Sequence, residues 1–303
     1  MDTKLLLEKL LHGDRRALAR IISIVENDAD GTLEILSQLK IDSQVPVIGI
    51  TGPPGAGKST LVSSLASFFS QQKPGCKIAI LAIDPTSPFT MGSLLGDRLR
   101  MTDHFNNPDV FIRSLATRGA LGGLSAKTIE ITDVLKASGF DYIIIETVGV
   151  GQSEVEIASL AETTVVAFVP ESGDEIQTIK SGIMEIADIF VVNKSDREGS
   201  DRMVKSIKTT LHERKPGGWE VPVIKTIATA NQGMEELALA INAHHGFSKT
   251  EQQQQDLLLN KATRLAQNFL LKKYQQDKFK EALLDASRQQ GFNIYNFIST
   301  WFS

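Results

Sequence analysis

Gly52-Pro53-Pro54-Gly55-Ala56-Gly57-Lys58-Ser59-Thr60 lies between the apolar run Val45-Pro46-Val47-Ile48-Gly49-Ile50-Thr51 and Leu61-Val62-Ser63-Ser64-Leu65-Ala66-Ser67-Phe68-Phe69, a stretch of helical composition. The segment fits G-x-x-x-x-G-K-[ST], and its neighbours supply the strand and the helix that such a phosphate-binding loop joins. Glycines allow successive backbone N–H groups to turn inward into a concave anion nest. Lys58 has the reach for β- and γ-phosphates, Ser59 offers a hydroxyl to Mg²⁺, and the following helix points its positive N-terminus at the phosphates. Gly52, Pro53, Gly55, Ala56, Gly57, Lys58, Ser59 and Thr60 are the first candidate nucleotide contacts.

Outward from the loop the chain falls into three zones. Residues 1–44 read as helical, with Leu5, Leu6, Leu10, Leu11, Leu18, Ile21, Ile22 and Leu36 near helical spacing and breaks at Gly13 and around Asp28–Gly31. Residues 45–248 alternate strand and helix. Strands are expected at Val45–Thr51, Lys77–Asp84, Val110–Leu115, Tyr142–Glu146, Thr163–Val169, Ile189–Asn193 and Pro222–Ile227, with helices between them, notably Leu124–Ala137 and Gly199–His212. The strands are apolar almost throughout, as in a parallel sheet covered by helices on both faces. Residues 249–303 are helical again after the run Gln252–Gln255, with Leu258, Leu265, Phe269, Tyr274, Phe279 and Leu283 forming a broad apolar face. That face makes this arm the expected dimerisation element.

Two more segments extend the nucleotide reading. Tyr142-Ile143-Ile144-Ile145 runs into Glu146-Thr147-Val148-Gly149-Val150-Gly151-Gln152. An acidic residue ending a strand parallel to the loop strand suits the Mg²⁺ side of the site, here Glu146 in place of an aspartate. Gly149, lacking a Cβ, can bring its N–H close to a γ-phosphate. Gln152 is the candidate for positioning the attacking water, and no residue stands out as a catalytic base. Ile189-Phe190-Val191-Val192 leads into Asn193-Lys194-Ser195-Asp196, an N-K-x-D tetrad. Asp196 can accept from guanine N1–H and the 2-amino group together. Adenine has no 2-amino group and offers an acceptor at N1, and such a site can reject the wrong partner by roughly 10⁴-fold. Asn193 would brace the loops, and the Lys194 stem would cover the base.

Between these motifs, Asp84 ends a strand and opens a long polar loop that closes at Asp97. Long loops in compact domains tend to be functional, and either carboxylate could hold Mg²⁺ or cap a helix. Arg113 and Arg118 flank a glycine-rich turn and could meet phosphate, a partner or an ordinary surface carboxylate.

Bulk properties narrow the class. The chain has 303 residues, 42% hydrophobic and 22% charged, with a net charge of −4. That is a soluble globular composition without a global basic field for nucleic acid. No apolar run approaches the roughly 20 residues that span a bilayer. The first residues lack the regions of a signal peptide, so a cytoplasmic location is expected. Cys76 is the sole cysteine, which rules out an intrachain disulfide or thiolate cluster.

Assembled, these segments resemble the MeaB/ArgK family, GTPases associated with methylmalonyl-CoA mutase. The resemblance covers residues 8–248. It is carried by Gly13-Asp14-Arg15-Arg16-Ala17-Leu18-Ala19-Arg20, the Asp84–Asp97 loop, Phe111-Ile112-Arg113-Ser114-Leu115-Ala116-Thr117-Arg118-Gly119, Glu146–Glu154, Gly182–Asp188 and the base tetrad. It implies an α/β fold, a P-loop NTPase of SIMIBI type with a mostly parallel sheet, helices on both faces and helical N- and C-terminal extensions. It implies a GTPase, slow on its own, that serves as chaperone to an adenosylcobalamin-dependent acyl-CoA mutase and is commonly a homodimer. Lys58 and Ser59 would bind phosphate and Mg²⁺, and Asp84, Asp97 and Glu146 would be the metal-side carboxylates. Ala228 would join the nucleotide contacts. Gly173–Lys180, with Asp174, Gln177 and Lys180, matches a switch that couples nucleotide state to the mutase. The chain departs from the family pattern at Met91, where glycine is usual, and at Thr226-Ile227-Ala228, where T-S-A is usual. The arm after residue 249 carries no family motif. Three other readings compete: a nickel-delivery GTPase, which shares this domain type and is disfavoured by scattered histidines and the absence of paired cysteines; a kinase or ATPase of basic amino-acid transport, an older label of this family opposed by the guanine tetrad and by the lack of a transmembrane segment; and a non-enzymatic switch whose output is nucleotide-dependent binding.

Overall fold

A strand that is apolar at every position has no side to give to water, and it belongs inside a sheet covered on both faces. The computed structural model, which describes residues 2–84, 101, 104, 107–116, 126–147, 156–171, 182–212, 218–247, 251–274, 277–288 and 293–302, is built on seven strands, most of them largely apolar. They are β1 (Val47–Thr51), β2 (Ile78–Asp84), β3 (Val110–Ala116), β4 (Tyr142–Glu146), β5 (Thr163–Phe168), β6 (Ile189–Val192) and β7 (Val223–Lys225). Every residue of β1, β5 and β6 is buried. The strands form one sheet in the order β3-β2-β4-β1-β5-β6-β7, and every pairing is parallel. All the carboxyl ends therefore share one edge, and β1 stands where the chain turns from filling one half of the sheet to filling the other. The expected strands are all present. The last is shorter than its apolar run because Pro222 has no N–H to give the ladder and Thr226 already turns into a loop.

Alternate residues of the strands feed different cores. Ile48, Ile50, Ile78, Ile80, Ile144, Val165 and Val191 pack with Leu61, Leu65 and Phe69 of α4 (Lys58–Gln72) and with Leu237 and Ile241 of a later helix, Met234–Gly246. On the opposite face Val47, Ala79, Leu81, Ile83, Ile143 and Ile145 pack with Leu7 and Leu10 of α1 (Thr3–Leu11), with Leu18, Ile21, Ile22 and Val25 of α2 (Arg15–Glu26), with Ile35 of α3 (Thr32–Ser37) and with Ile131 and Leu135 of α5 (Ala126–Lys136). A third core joins Val166, Phe168, Phe190 and Val192 to α6 (Ile183–Ile186) and α7 (Ser200–His212). Met234–Gly246 is α8.

The N-terminal zone is thus one layer of the nucleotide-binding unit. Its helices break where glycine and aspartate allow a left-handed turn, at Gly13, Asp28 and Gly31. Asp14 then caps α2, accepting from the amides of Arg16 and Ala17 at 2.8 and 3.0 Å, and these amides hold its carboxyl below the usual range. Ion pairs tie the layer down. Arg113 on β3 meets Glu26 at 2.5 Å, and Lys127 on α5 meets Asp28 at 2.8 Å. Of the roles open to Arg113 in the sequence, the structure shows the ion pair.

The chain divides into two compact units, Met1–Thr250 and Glu251–Ser303. The second contains α9 (Glu251–Tyr274), α10 (Asp277–Ser287) and α11 (Ile294–Phe302). The Gln252–Gln255 run lies within the first turns of α9 and does not precede it, in keeping with glutamine's good helix propensity. Phe279, Phe297 and Trp301 cluster with ring centroids 5.4–5.9 Å apart, while Leu258, Leu259, Phe269 and Leu270 are exposed. No helix among the described residues is long and apolar enough to cross a membrane.

Gly49, in the middle of β1, makes one of these packings possible. A Cβ there would come within 2.5 Å of Ile157 Cγ1 and 2.8 Å of Ala161 Cβ. Gly49→Val should lower unfolding free energy by about 2 kcal/mol or more in urea denaturation, the range for overpacking a filled core.

Candidate functional site

The strands' common carboxyl edge gathers the polar motifs. Between β1 and α4 the loop Gly52–Gly57 winds back on itself. Gly52 (φ +136°) passes so close to β5 that a Cβ would lie 2.1 Å from the Ala167 carbonyl oxygen. Gly57 (φ +81°) leaves room for the Asn193 amide, which a Cβ would meet at 2.5 Å. No other residue type suits both the dihedral and the space at either place. Lys58, 7% exposed, donates from Nζ to the carbonyls of Gly52 at 2.7 Å and Pro53 at 3.0 Å. Its cation therefore lies against the loop, over the N-terminus of α4.

Beside it, Ser59 Oγ donates to Glu146 Oε1 at 2.6 Å, and both side chains are buried. Glu146 ends β4, adjacent to β1. Behind them Thr147 Oγ1 donates to Thr51 Oγ1 at 2.9 Å. The register pairs Ala82 of β2 with Glu146, so Asp84 lies two residues, about 6–7 Å, further toward the same edge. Asp97, Gly149, Gln152, Asp174, Gln177 and Lys180 lie outside the described residues.

The base tetrad follows β6. Asn193 is 2% exposed, and both ends of its amide are engaged. Nδ2 donates to the Ala56 carbonyl at 3.0 Å, while Oδ1 accepts from Thr226 Oγ1 at 3.1 Å and from the Ala228 N–H at 3.2 Å. Lys194 adopts φ +53° and carries Nζ to the Gly55 carbonyl at 2.9 Å, so its stem spans from tetrad to phosphate loop. Asp196 is exposed at the mouth of a pocket lined by Gly57, Thr60, Asn193, Lys194, Arg197, Ile227, Ala228 and Thr229. Arg197 pairs with Glu171, which holds that carboxyl below its usual range and raises the guanidinium further. The structure therefore joins Lys58, Ser59 and Glu146 on one side of the loop, and Asn193, Lys194, Asp196 and Ala228 on the other.

Sequence reading missed one member. Ser64 Oγ, on α4, donates to the Ala228 carbonyl at 2.6 Å and is buried. The available signal was its place four residues after Thr60, on the same helix face.

The sequence profile described as Methylmalonyl Co-A mutase-associated GTPase MeaB matches residues 18–282. A Pyrococcus abyssi protein provisionally named as a GTPase is 49% identical over 247 residues, 80% of this chain and 76% of that one. GTPase ArgK of Escherichia coli K12 is 35% identical over 246 residues, 78% of this chain and 73% of its own. The fused isobutyryl-CoA mutase of Geobacillus kaustophilus is 39% identical over 238 residues, 74% of this chain but 22% of the fused protein. In fold, the crystal structure of an LAO/AO transport system kinase superposes with a TM-score of 0.67 at 24% identity, covering 94% of this chain and 88% of the other.

Asn193→Ala would leave the Ala56 carbonyl and the Ala228 N–H buried without this partner. It should cost about 2 kcal/mol of stability in chemical denaturation, within the range for unsatisfied buried polar groups.

Proposed function

The chain belongs to the MeaB family of methylmalonyl-CoA mutase-associated GTPases, and from that membership we propose how its residues divide the work and which enzyme it serves. The protein is a GTPase, converting GTP and water to GDP and phosphate. Lys58 exchanges the Gly52 and Pro53 carbonyls for β- and γ-phosphate oxygens, and the loop amides with the α4 N-terminus receive the remaining charge. Asp196 reads the N1–H and 2-amino edge of guanine, with Asn193 holding the loops and the Lys194 stem lying along the base.

Ser59 and Glu146, in contact at 2.6 Å, form the described part of an oxygen-only donor set, which suits a hard divalent cation. We assign Mg²⁺ to them together with Asp84 and Asp97. The ion supplies neutralisation of charge on the β- and γ-phosphates. Gly149 fixes the γ-phosphate switch, and Gln152 orients the water. Arg197 is engaged with Glu171 and Arg113 with Glu26. As the family resemblance implies, hydrolysis by the protein alone is slow, and a partner completes the site.

That partner is an adenosylcobalamin-dependent acyl-CoA mutase of the methylmalonyl-CoA type, whose cofactor loading the GTPase gates and whose loaded form it protects. Asp174, Gln177 and Lys180 would carry nucleotide state to it. The observation behind this reading is the homologous segment built into the fused isobutyryl-CoA mutase. The exposed Leu258, Leu259, Phe269 and Leu270 of the C-terminal unit support a homodimer formed through that arm.

Calorimetric titration should show Mg²⁺-GDP binding and Mg²⁺-ADP not binding. Phosphate release should be slow for the protein alone and rise when methylmalonyl-CoA or isobutyryl-CoA mutase is added. No change with either mutase would remove the chaperone reading and leave the GTPase. In light scattering, Leu259→Asp combined with Phe269→Glu should convert a dimer to a monomer; a dimer that persists would move the interface elsewhere.

A further inference from the structure

Gly13-Asp14-Arg15, at the break between α1 and α2, takes no part in the nucleotide edge. It stands at the other end of the sheet, where β2 and β3 begin. There it lines a pocket of about 90 Å³ together with the strand starts and the residues that follow α5. β2 runs from Ile78 to Asp84, so about 20 Å of strand separates this pocket from the nucleotide edge. The floor is apolar. Leu10, Leu18 and Phe111 are buried, and Phe140 is half-buried with its ring centroid 6.1 Å from that of Phe111.

The rim is polar, and most of its groups are already committed. Asp14 accepts from the amides of Arg16 and Ala17. Arg15 donates to the carbonyls of Val110 at 2.5 Å, Pro108 at 2.9 Å and Asn107 at 3.4 Å. Ser138 Oγ donates to the Val134 carbonyl at 2.6 Å. Lys77 and Asp109 remain. Their backbones are adjacent: the Ile78 N–H donates to the Asp109 carbonyl at 2.9 Å, and the pairing of Ile78 with Val110 sets Lys77 opposite Asp109. Both are on the face that carries Phe111, since side chains two apart on a strand share a face. Their head groups are uncommitted. Among the described residues, neither the Lys77 ammonium nor the Asp109 carboxylate has a hydrogen bond or an ion pair. Asp141, which accepts the Lys77 N–H at 2.8 Å, gives its other oxygen to Lys73 Nζ at 2.6 Å.

One cation and one anion side by side over an apolar floor complement a ligand with the same two charges and one apolar side chain. We propose that this pocket binds a free branched-chain α-amino acid, leucine or valine. The ligand carboxylate meets Lys77, its ammonium meets Asp109, and its side chain lies on Leu10, Leu18 and Phe111. Each head group gains a charge-assisted hydrogen bond. Size selects the side chain. An apolar cavity of about 150 Å³ admits benzene, so this smaller one suits a branched aliphatic group and not an indole.

The test is calorimetric titration of the full-length protein with L-leucine and L-valine. The comparison ligands are glycine, 4-methylpentanoate, which lacks the ammonium, isoamylamine, which lacks the carboxylate, and L-lysine. Leucine should bind at least about ten-fold more tightly than each comparison ligand, the size of one charged hydrogen bond or of a buried side chain. Lys77→Gln and Asp109→Asn should each weaken leucine by about ten-fold or more. Both should melt close to wild type, because neither head group holds a bond in the fold, so a loss of binding would not report a loss of structure. No binding of leucine or valine would overturn the inference. So would glycine or lysine binding as well as leucine, or leucine binding that is unchanged in both variants.

Discussion

Everything at the nucleotide edge hangs on the side-chain amide of Asn193. It reaches the phosphate loop through Ala56 and the β7 loop through Thr226 and Ala228, in a place almost closed to water. An amide so placed is strong because neither end can turn to solvent for a substitute. It also explains why Gly57 is a glycine, since any side chain there would occupy the space of the amide nitrogen. Lys194 to Gly55 and Ser64 to Ala228 repeat the connection on either side. The spacing between the loop after β1 and the loops after β6 and β7 is therefore set by side-chain hydrogen bonds between segments far apart in sequence, buried except for that of Lys194.

Such bonds hold only if the strands carrying the loops are themselves fixed, and here the sheet's double cover matters. With β1, β5 and β6 buried at every residue, a one-residue slip of any strand would exchange two differently shaped cores. The contacts of Gly49 with Ile157 and Ala161 pin β1 more tightly still. Parallel pairing then delivers Thr51, Asp84, Glu146, Asn193 and Thr226 to one edge, so chemistry scattered over the chain becomes local.

Much of this was legible beforehand, because apolar runs between glycine and aspartate breaks fit few structures besides a covered parallel sheet. Lys58, Ser59, Glu146 and the tetrad could be picked out by their motif spacing, and the parallel strands bring them to one edge. Other features were not legible, for physical reasons. Ser64 is one of several serines on α4, and only the return of the chain 164 residues later selects it. Arg113 had several possible partners, and the choice of Glu26 depends on α2 packing over β3, a fact of tertiary layering. The Gln252–Gln255 run read as a connector from its composition, whereas its intrinsic helix propensity continues into the apolar turns that follow.

The N-terminal layer has a consequence for how the protein is made. Leu18, Ile21 and Ile22 share a core with Ile143 and Ile145 of β4, yet α2 leaves the ribosome long before β4 exists. At ordinary synthesis rates the interval is on the order of ten seconds. During that time α1 and α2 carry an apolar face with no sheet to cover. The closing of this core must wait until β4 has joined β1 and β2.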